Sequence, residues 1–327
     1  MADFSIPTMS FDPADLRFGP HFDVAARSCT GVGPSPRAEN QDNYLLIDID
    51  GNAAYLHGQQ PRRQRVPGWT TGHARVAVLD GMGGHGHGRE AAEAAVAGLL
   101  AIPPCTTLTE LSRHLDALHM RLQRHFAAIE RSPLRPGTTL TLLELPPGGP
   151  ALLYHVGDSR LYEIRSDAAS VLTVDHVPAT TFAMAGLLDE REWWQQVHGE
   201  HRPEISQAFI LGNAFGNPAV LDDALCELTP QMLPPWLGQL HDRRAIALRP
   251  GSAYLLATDG FWSCSRAREW VARWPALFSQ CGNAADMVQA LFHEIESRPP
   301  PGLHSDNLTA LVLRPLGAGD ETALPAH

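Results

Sequence analysis

The sequence predicts an α+β fold in a single domain, and three observations predict it. Short apolar runs such as Val76–Leu79, Leu140–Leu145, Ala151–Val156 and Leu308–Leu313 are bounded by turn residues and have strand length. Helix-forming stretches lie between them, over 89–101, 107–129 and 284–297. No linker, internal repeat or low-complexity tract divides the 327 residues, a length ample for one well-buried core.

Taken in order, residues 1–20 carry Pro7, Pro13 and Pro20 and read as a surface leader. A first strand is expected over His21–Cys29, and another over Tyr44–Ile47 before the turn Asp50-Gly51-Asn52. Residues 57–73 are polar and locally basic, with Arg62, Arg63 and Arg65, and read as an exposed hairpin loop. The helix over 89–101 stops at Pro103-Pro104. The next is the clearest in the chain: Thr107 and Glu110 make a capping box, and Leu108, Leu111, Leu115, Leu118, Leu122, Phe126 and Ile129 form its apolar stripe. His114, His119 and His125 fall mostly off that stripe and are read as surface residues, not ligands. Pro133 and Pro136 close this segment.

A hairpin is expected over 140–156, with extended chain over Leu161–Ile164 and a strand leading into a loop at Val171–His176. Residues 177–244 are irregular and proline-rich, with a helix expected around Asp189–Val197; a segment of this kind inside a compact domain is a flap or an insertion. Its Trp193-Trp194 pair is read as packing. Strands at 245–248 and 253–258, a helix capped by Asn283, a last strand from Leu308 and a loose tail over 316–327 complete the chain, leaving 21–315 as the domain.

Composition narrows the function. Apolar residues make up 44% and charged residues 19%, which is globular. Net charge is -11, from 25 basic and 36 acidic residues, which argues against a nucleic-acid or anionic-membrane binder. The five scattered cysteines include no C-x-x-C pair, so neither a zinc knuckle nor a disulfide framework is indicated. The N-terminus has no signal-peptide pattern and no stretch has the length of a membrane span, so a cytoplasmic protein is expected.

The chain is organised around Arg75–Gly88, R-V-A-V-L-D-G-M-G-G-H-G-H-G. An apolar strand ends in Asp80 and runs into glycines, through which backbone can approach an ion or a phosphate. Alone, Asp80 reads equally well as a turn residue. The pattern repeats, however: Asp42, Asp158, Asp259 and Asp306 also stand directly beside apolar extended runs. Five such residues suggest a converging carboxylate cluster, and crowded carboxylates need a compensating cation. Oxygen-only ligands favour Mg²⁺ or Mn²⁺.

The blocks R-A-E-N-Q-D-N (37–43), V-L-D-G-M-G-G-H-G-H-G (78–88), G-T-T-L (137–140), H-V-G-D-S-R-L-Y (155–162), L-T-V-D-H (172–176), L-L-A-T-D-G-F-W (255–262) and S-D-N-L-T (305–309) stand in the order found in the metal-dependent Ser/Thr protein phosphatases of the type 2C family, bacterial type, which the chain resembles. The resemblance implies a four-layer α-β-β-α sandwich with two central antiparallel sheets and a dinuclear metal site at one end. It implies that Asp80 bridges two Mn²⁺ or Mg²⁺ ions, that the Gly81 carbonyl is a further ligand, and that Asp259 and Asp306 hold one ion. Asp42 would act on the other, Arg37 would bind the substrate phosphate, and Asp158 would serve a third metal. The implied activity is hydrolysis of phosphoserine and phosphothreonine in proteins by a water held between the ions, with no phosphoenzyme. The expected partners are phosphoproteins made by a Ser/Thr kinase, and a monomer is expected.

Three positions depart from the pattern. Gln41 stands where many members have glutamate, Val177 where serine is usual, and Met82 where some carry a histidine proposed as general acid. Methionine has no proton to give, so an ion-held water, His85 or His87 must supply it, although both histidines read more simply as turn residues. The flap 205–216 matches only loosely. A catalytically inactive pseudophosphatase serving as a regulatory binding module, or a small-molecule phosphohydrolase, remain the alternatives.

Overall fold

The computed structural model describes residues 16–32, 36–83, 87–129, 135–199, 204–217 and 220–317. The expected leader up to residue 15, the tail from residue 318, His85 and Pro133 lie outside them. The chain begins with β1 (Phe22–Cys29), β2 (Asn43–Ile47), β3 (Asn52–His57), β4 (Gln60–Arg65) and β5 (Ala74–Leu79). The short β6 (Gly81–Met82) precedes helices α1 (Gly88–Leu100) and α2 (Leu108–Ile129). There follow β7 (Gly137–Thr138), β8 (Leu140–Leu145), β9 (Ala151–Val156), β10 (Arg160–Ile164) and β11 (Ala169–Val171). The flap holds α3 (Pro178–Met184), α4 (Glu190–His198), β12 (Gln207–Ala208) and β13 (Gly212–Asn213). The chain then returns through β14 (Arg243–Ile246), β15 (Ala253–Ala257), α5 (Ala267–Val271), α6 (Trp274–Phe278), α7 (Ala284–Ser297) and β16 (Leu308–Pro315).

Two antiparallel sheets form the centre, one ordered β14-β9-β8-β5-β2-β3-β4 and the other β1-β16-β15-β10-β11. Strand alternation assigns each side chain to a layer. Val76 and Val78 of β5, Leu143 of β8 and Leu153 of β9 meet Leu161, Tyr254, Leu256, Leu311 and Leu313 between the sheets. Their neighbours Ala77, Leu79, Leu142 and Tyr154 face α1 and α2. Leu255, Ala257, Ala310 and Val312 face the layer containing α7. Both faces of each sheet are covered, which is why these strands read as unbroken apolar runs. The four-layer sandwich is the expected architecture, and the stripe of α2 from Leu111 to Phe126 is buried as its spacing predicts.

Three local readings change. The segment 57–73 is not a loop alone: residues 60–65 pair with β3 as an edge strand whose arginines 62, 63 and 65 are exposed, a charged edge that resists further strand addition. The strand leading into a loop at Val171–His176 is as expected: β11 ends at Val171, and in the loop Asp175 lies 2.7 Å from the buried Arg160. His119 is buried, not on the surface; its Nε2 lies 2.7 Å from the Asp223 carbonyl and its Nδ1 accepts the Ile210 N–H at 3.0 Å. The flap is not irregular throughout. Val174, Ala179, Trp193, Phe215, Leu228 and Leu237 make a separate small core, in which Trp193 meets Trp194 edge-on at 5.3 Å as packing. Among the described residues no helix is long and apolar enough to cross a membrane.

One buried ion pair fixes the end of α1. Arg75 and Glu144 on neighbouring strands are both fully buried, with Nε 2.5 Å from Oε2. The remaining Arg75 donors reach the Leu99, Ile102 and Pro103 carbonyls at 2.7–2.9 Å, satisfying acceptors that the helix terminus leaves free. Burial pushes the Glu144 carboxyl up, but Arg75 and His73 overcome it and hold the acid below the usual range. Arg75→Met strands Glu144 and three carbonyls and should cost about 3–5 kcal/mol in urea unfolding; a loss under about 1 kcal/mol would show that the pair is not needed.

Candidate metal centre

The candidate residues gather at one end of the sandwich. Asp80 follows β5, Asp259 follows β15, Asp306 precedes β16, Asp42 precedes β2 and Asp158 follows β9. A cavity of about 440 Å³ is lined by Asp80, Asp158, Asp259 and Asp306 together with Arg37, Gly81 and Met82. Asp42 lies beneath it, 4% exposed, close enough to Asp80 to raise its pKa.

The backbone brings these carboxylates together by close approach. A Cβ on Gly88 would lie 2.6 Å from the Gly81 carbonyl oxygen, and one on Gly81 would overlap the Gly88 and Gln41 carbonyls. Glycine is therefore required at both positions, and this is where the R-A-E-N-Q-D-N loop, the strand end and the start of α1 converge. The Asp80 backbone is clamped on both sides: its N–H donates to Thr139 Oγ1 at 2.9 Å, and its carbonyl accepts the Thr139 N–H at 2.8 Å. Thr139 Oγ1 in turn lies 2.6 Å from Ser159 Oγ. Thr258 Oγ1 donates to Asp42 Oδ2 at 2.7 Å, and the Gln41 N–H donates to Asn307 Oδ1 at 2.8 Å. Sequence reasoning missed Thr139, Thr258 and Asn307 as individuals, although each lies inside a recognised block, Thr258 and Asn307 directly beside an aspartate.

The electrostatics are those of anions held against their preference. Burial, together with Asp259 and Asp306, pushes the Asp42 carboxyl up to about 8 despite its bonds from Thr258 and Thr309. Burial and the charges of Asp42, Asp259, Asp158 and Asp306 push Asp80 well above the carboxylate range. Asp306 is raised by burial and by Asp259, with Arg37 opposing. Hard, all-oxygen donors whose repulsion a cation would relieve fit Mg²⁺ or Mn²⁺. Three ligand atoms within 4.8 Å of one another occur, among the described residues, only at Cys105, Glu110 and His114, so the aspartates surround a space without sharing one point.

Arg37 stands at the rim, its side chain 56% exposed; Nε donates to the Ser305 carbonyl at 2.9 Å and Nη2 lies 3.3 Å from Asp306 Oδ2. Those contacts use two of the guanidinium's five donors. Asp158 lines both the main cavity and a cavity of about 90 Å³ under the flap, beside Asp175 and Val177. His87 is half-exposed at the start of α1 and does not line the main cavity. His155 and His176 are buried and structural. Burial pushes His155 down to about 3, and its ring bonds Thr141 and the Val174 carbonyl. His176 Nδ1 accepts from Gly157 N at 3.3 Å and Gln207 Nε2 at 3.0 Å, tying the flap to the turn that carries Asp158.

No family model matches the chain, and no curated protein matches it. Solved structures do. PppA of Pseudomonas aeruginosa, described as a key regulatory component of T6SS, is 22% identical, with a TM-score of 0.59 over 90% of this chain and 98% of that one. The PPM Ser-Thr phosphatase MsPP of Mycobacterium smegmatis, solved with cacodylate, is 23% identical, with a TM-score of 0.58 over 90% and 98%. The catalytic domain of the Ser/Thr phosphatase PstP, solved with 2 manganese ions, is 21% identical, with a TM-score of 0.56 over 91% and 99%. The chain has the fold of the PPM Ser/Thr phosphatases.

The raised carboxyls set a pH dependence. Without metal, the folded protein holds protons that the unfolded chain, titrating near 3.9, has released. Stability is therefore present at the acid end of the window from about pH 4 to about pH 8 and is lost as pH rises through it. In EDTA, Tm should fall from about pH 5 to about pH 8, and Mn²⁺ should restore it most at the alkaline end. Asp259→Asn removes one repelling charge; it should raise Tm in EDTA and shrink the Mn²⁺-dependent gain. A variant less stable in EDTA than the wild type contradicts this account.

Proposed function

We propose that this protein is a metal-dependent phosphatase that hydrolyses phosphoserine and phosphothreonine in proteins. The observation that carries the reading is the set of four strand-end aspartates around one cavity with Asp42 buried beneath it, with raised carboxyls and an arginine at the rim, on this fold. Asp80, Asp259, Asp306, Asp42 and the Gly81 carbonyl would hold two Mn²⁺ or Mg²⁺ ions, and Asp158 a third beside the flap. Bound divalent ions supply a water acidified below its bulk value of about 15.7 and neutralise phosphate charge.

The chain's own residues do the rest. The guanidinium of Arg37 binds and orients the substrate phosphate in fork geometry, exchanging its contact with Asp306 for phosphate oxygens. Thr258 holds the Asp42 carboxylate and Thr139 holds the Asp80 backbone, so the acidic groups need little rearrangement. No cysteine lines the cavity, and burial raises the thiols of Cys29 and Cys264, which supports direct hydrolysis without a phosphoenzyme. Met82 lines the cavity and cannot protonate a departing alkoxide. Aryl phosphates, whose leaving groups need no proton, are then the better substrates in vitro.

We assign residues 21–315 to one catalytic domain with 177–244 as its flap, acting in the cytoplasm as a monomer on the products of a Ser/Thr kinase. Hydrolysis of an aryl phosphate and of phosphothreonine peptides is expected with Mn²⁺ or Mg²⁺ and is abolished by EDTA. Turnover unaffected by EDTA, or none with any metal, rejects the reading; the second result leaves the regulatory alternative. Asp80→Asn should cost at least about 10² in kcat, and Arg37→Ala should raise KM with a smaller loss of kcat. Met82→His should speed peptide hydrolysis by up to about 10² while changing aryl phosphate turnover little.

A further inference from the structure

A second cluster of ligating groups lies at the other end of the sandwich. Cys105 Sγ, a carboxylate oxygen of Glu110 and a ring nitrogen of His114 all lie within 4.8 Å of one another. Glu110 and His114 are four residues apart on α2 and so share a helix face. Cys105 comes from the loop between α1 and α2, and the Arg75–Glu144 pair fixes its position. Arg75 holds the Pro103 carbonyl, and Glu144 Oε1 accepts the Cys105 N–H at 2.9 Å. Cys105 is buried and its partners are half-buried, so the cluster has one enclosed side and one open side.

This cluster is separate from the acidic cavity. Arg75 and Asp80 mark opposite ends of β5, and about 3.3 Å per residue puts roughly 17 Å between them. Helix α1 runs the same course, from Gly88 beside Gly81 to its capped end at Arg75.

We propose that Cys105, Glu110 and His114 form a zinc site, with an open fourth position for water or another ligand. The donors are one sulfur, one oxygen and one nitrogen, a borderline-soft set that suits Zn²⁺ and not the hard ions fitted to the aspartates. Ligand bonds of about 2.0–2.3 Å separate tetrahedral donors by roughly 3.5 Å, a closure that side-chain rotation of Glu110 and His114 can supply. Thiolate and carboxylate together balance the ion's charge. Burial, with Glu144 beside it, pushes the free thiol up to about 12, so binding expels the Cys105 proton to solvent and strengthens with pH. Three existing contacts compete. Cys105 Sγ donates to the Pro103 carbonyl at 3.3 Å, a contact given up with the thiol proton. Glu110 Oε2 accepts the Thr106 N–H at 3.3 Å, which leaves the carboxylate its second oxygen, and the exposed Arg113 has Nη2 3.1 Å from His114 Nε2 and can swing into solvent.

The site is tested with the full chain, stripped of metal, reduced, supplied with saturating Mg²⁺ to occupy the acidic cavity, and titrated with Co²⁺ as a spectroscopic stand-in. Only a thiolate ligand gives sulfur-to-cobalt charge-transfer absorption in the near ultraviolet, so the aspartates are silent. One equivalent of this band is expected, displaced by Zn²⁺, absent in Cys105→Ser and present in Cys264→Ser. His114→Ala, at a half-buried helix position that leaves the core intact, should weaken Co²⁺ binding roughly tenfold or more with its thermal melt preserved. No band in the wild type, a band surviving Cys105→Ser, or unchanged affinity in folded His114→Ala overturns the proposal. Mg²⁺-dependent phosphate hydrolysis is read separately, so either result stands whatever the fate of the phosphatase reading.

Discussion

Repulsion among carboxylates is the constraint around which one end of this molecule is built. Asp42, Asp80 and Asp306 all titrate above their ordinary range because burial and their acidic neighbours disfavour the charge. A fold tolerates such a cluster only if the rest of the structure holds it there. Two sheets with both faces covered provide the stiffness. The glycines at 81 and 88 let three backbone segments meet, and Thr139 and Thr258 fix what they carry. Strain at the site is offset by packing some distance away, the usual bargain at sites of function.

The other end of the sandwich uses the opposite arrangement. Arg75 and Glu144 are a matched pair in which every donor and acceptor finds a partner, so burial stabilises order without leaving a charge seeking a ligand. Helix α1 connects a terminus that crowds anions to one that is neutralised. The flap is a third region, with its own apolar cluster, tied to the sheets and α2 through His176 and Asp175, through the Phe209 carbonyl that accepts the Thr138 N–H, and through the bonds of His119 to Asp223 and Ile210.

Much of this was legible in the chain. The aspartates stood out because each interrupts an apolar run, and an abrupt charge beside a buried strand has few structural uses. The strands and the long helices followed from periodicity and capping, down to Asn283, whose side chain accepts the Asp286 N–H. What was hidden depended on distant partners. His119 looked like a surface residue of α2 because the groups that bury it, Asp223 and Ile210, are 104 and 91 residues away. The edge strand at 60–65 was masked by its arginines, since an exposed edge has no apolar alternation to display. The flap core draws one or two residues from each of several short segments, too few in any window to give a period. Cys105, Glu110 and His114 were separated by a capping box that accounted for Glu110 on its own.

The pairing of β1 with β16, from Phe22 against Pro315 to Cys29 against Leu308, joins the two ends of the described chain along one edge of the smaller sheet. A ribosome releases β1 long before β16 exists, so that sheet is incomplete until synthesis has passed residue 315. Asp306 arrives on the same late segment. The acidic cavity is therefore assembled only once β16 has emerged, and a chain cut before it has the early aspartates without the partner that closes them into a site. Emergence of β16 is itself the event that creates the centre.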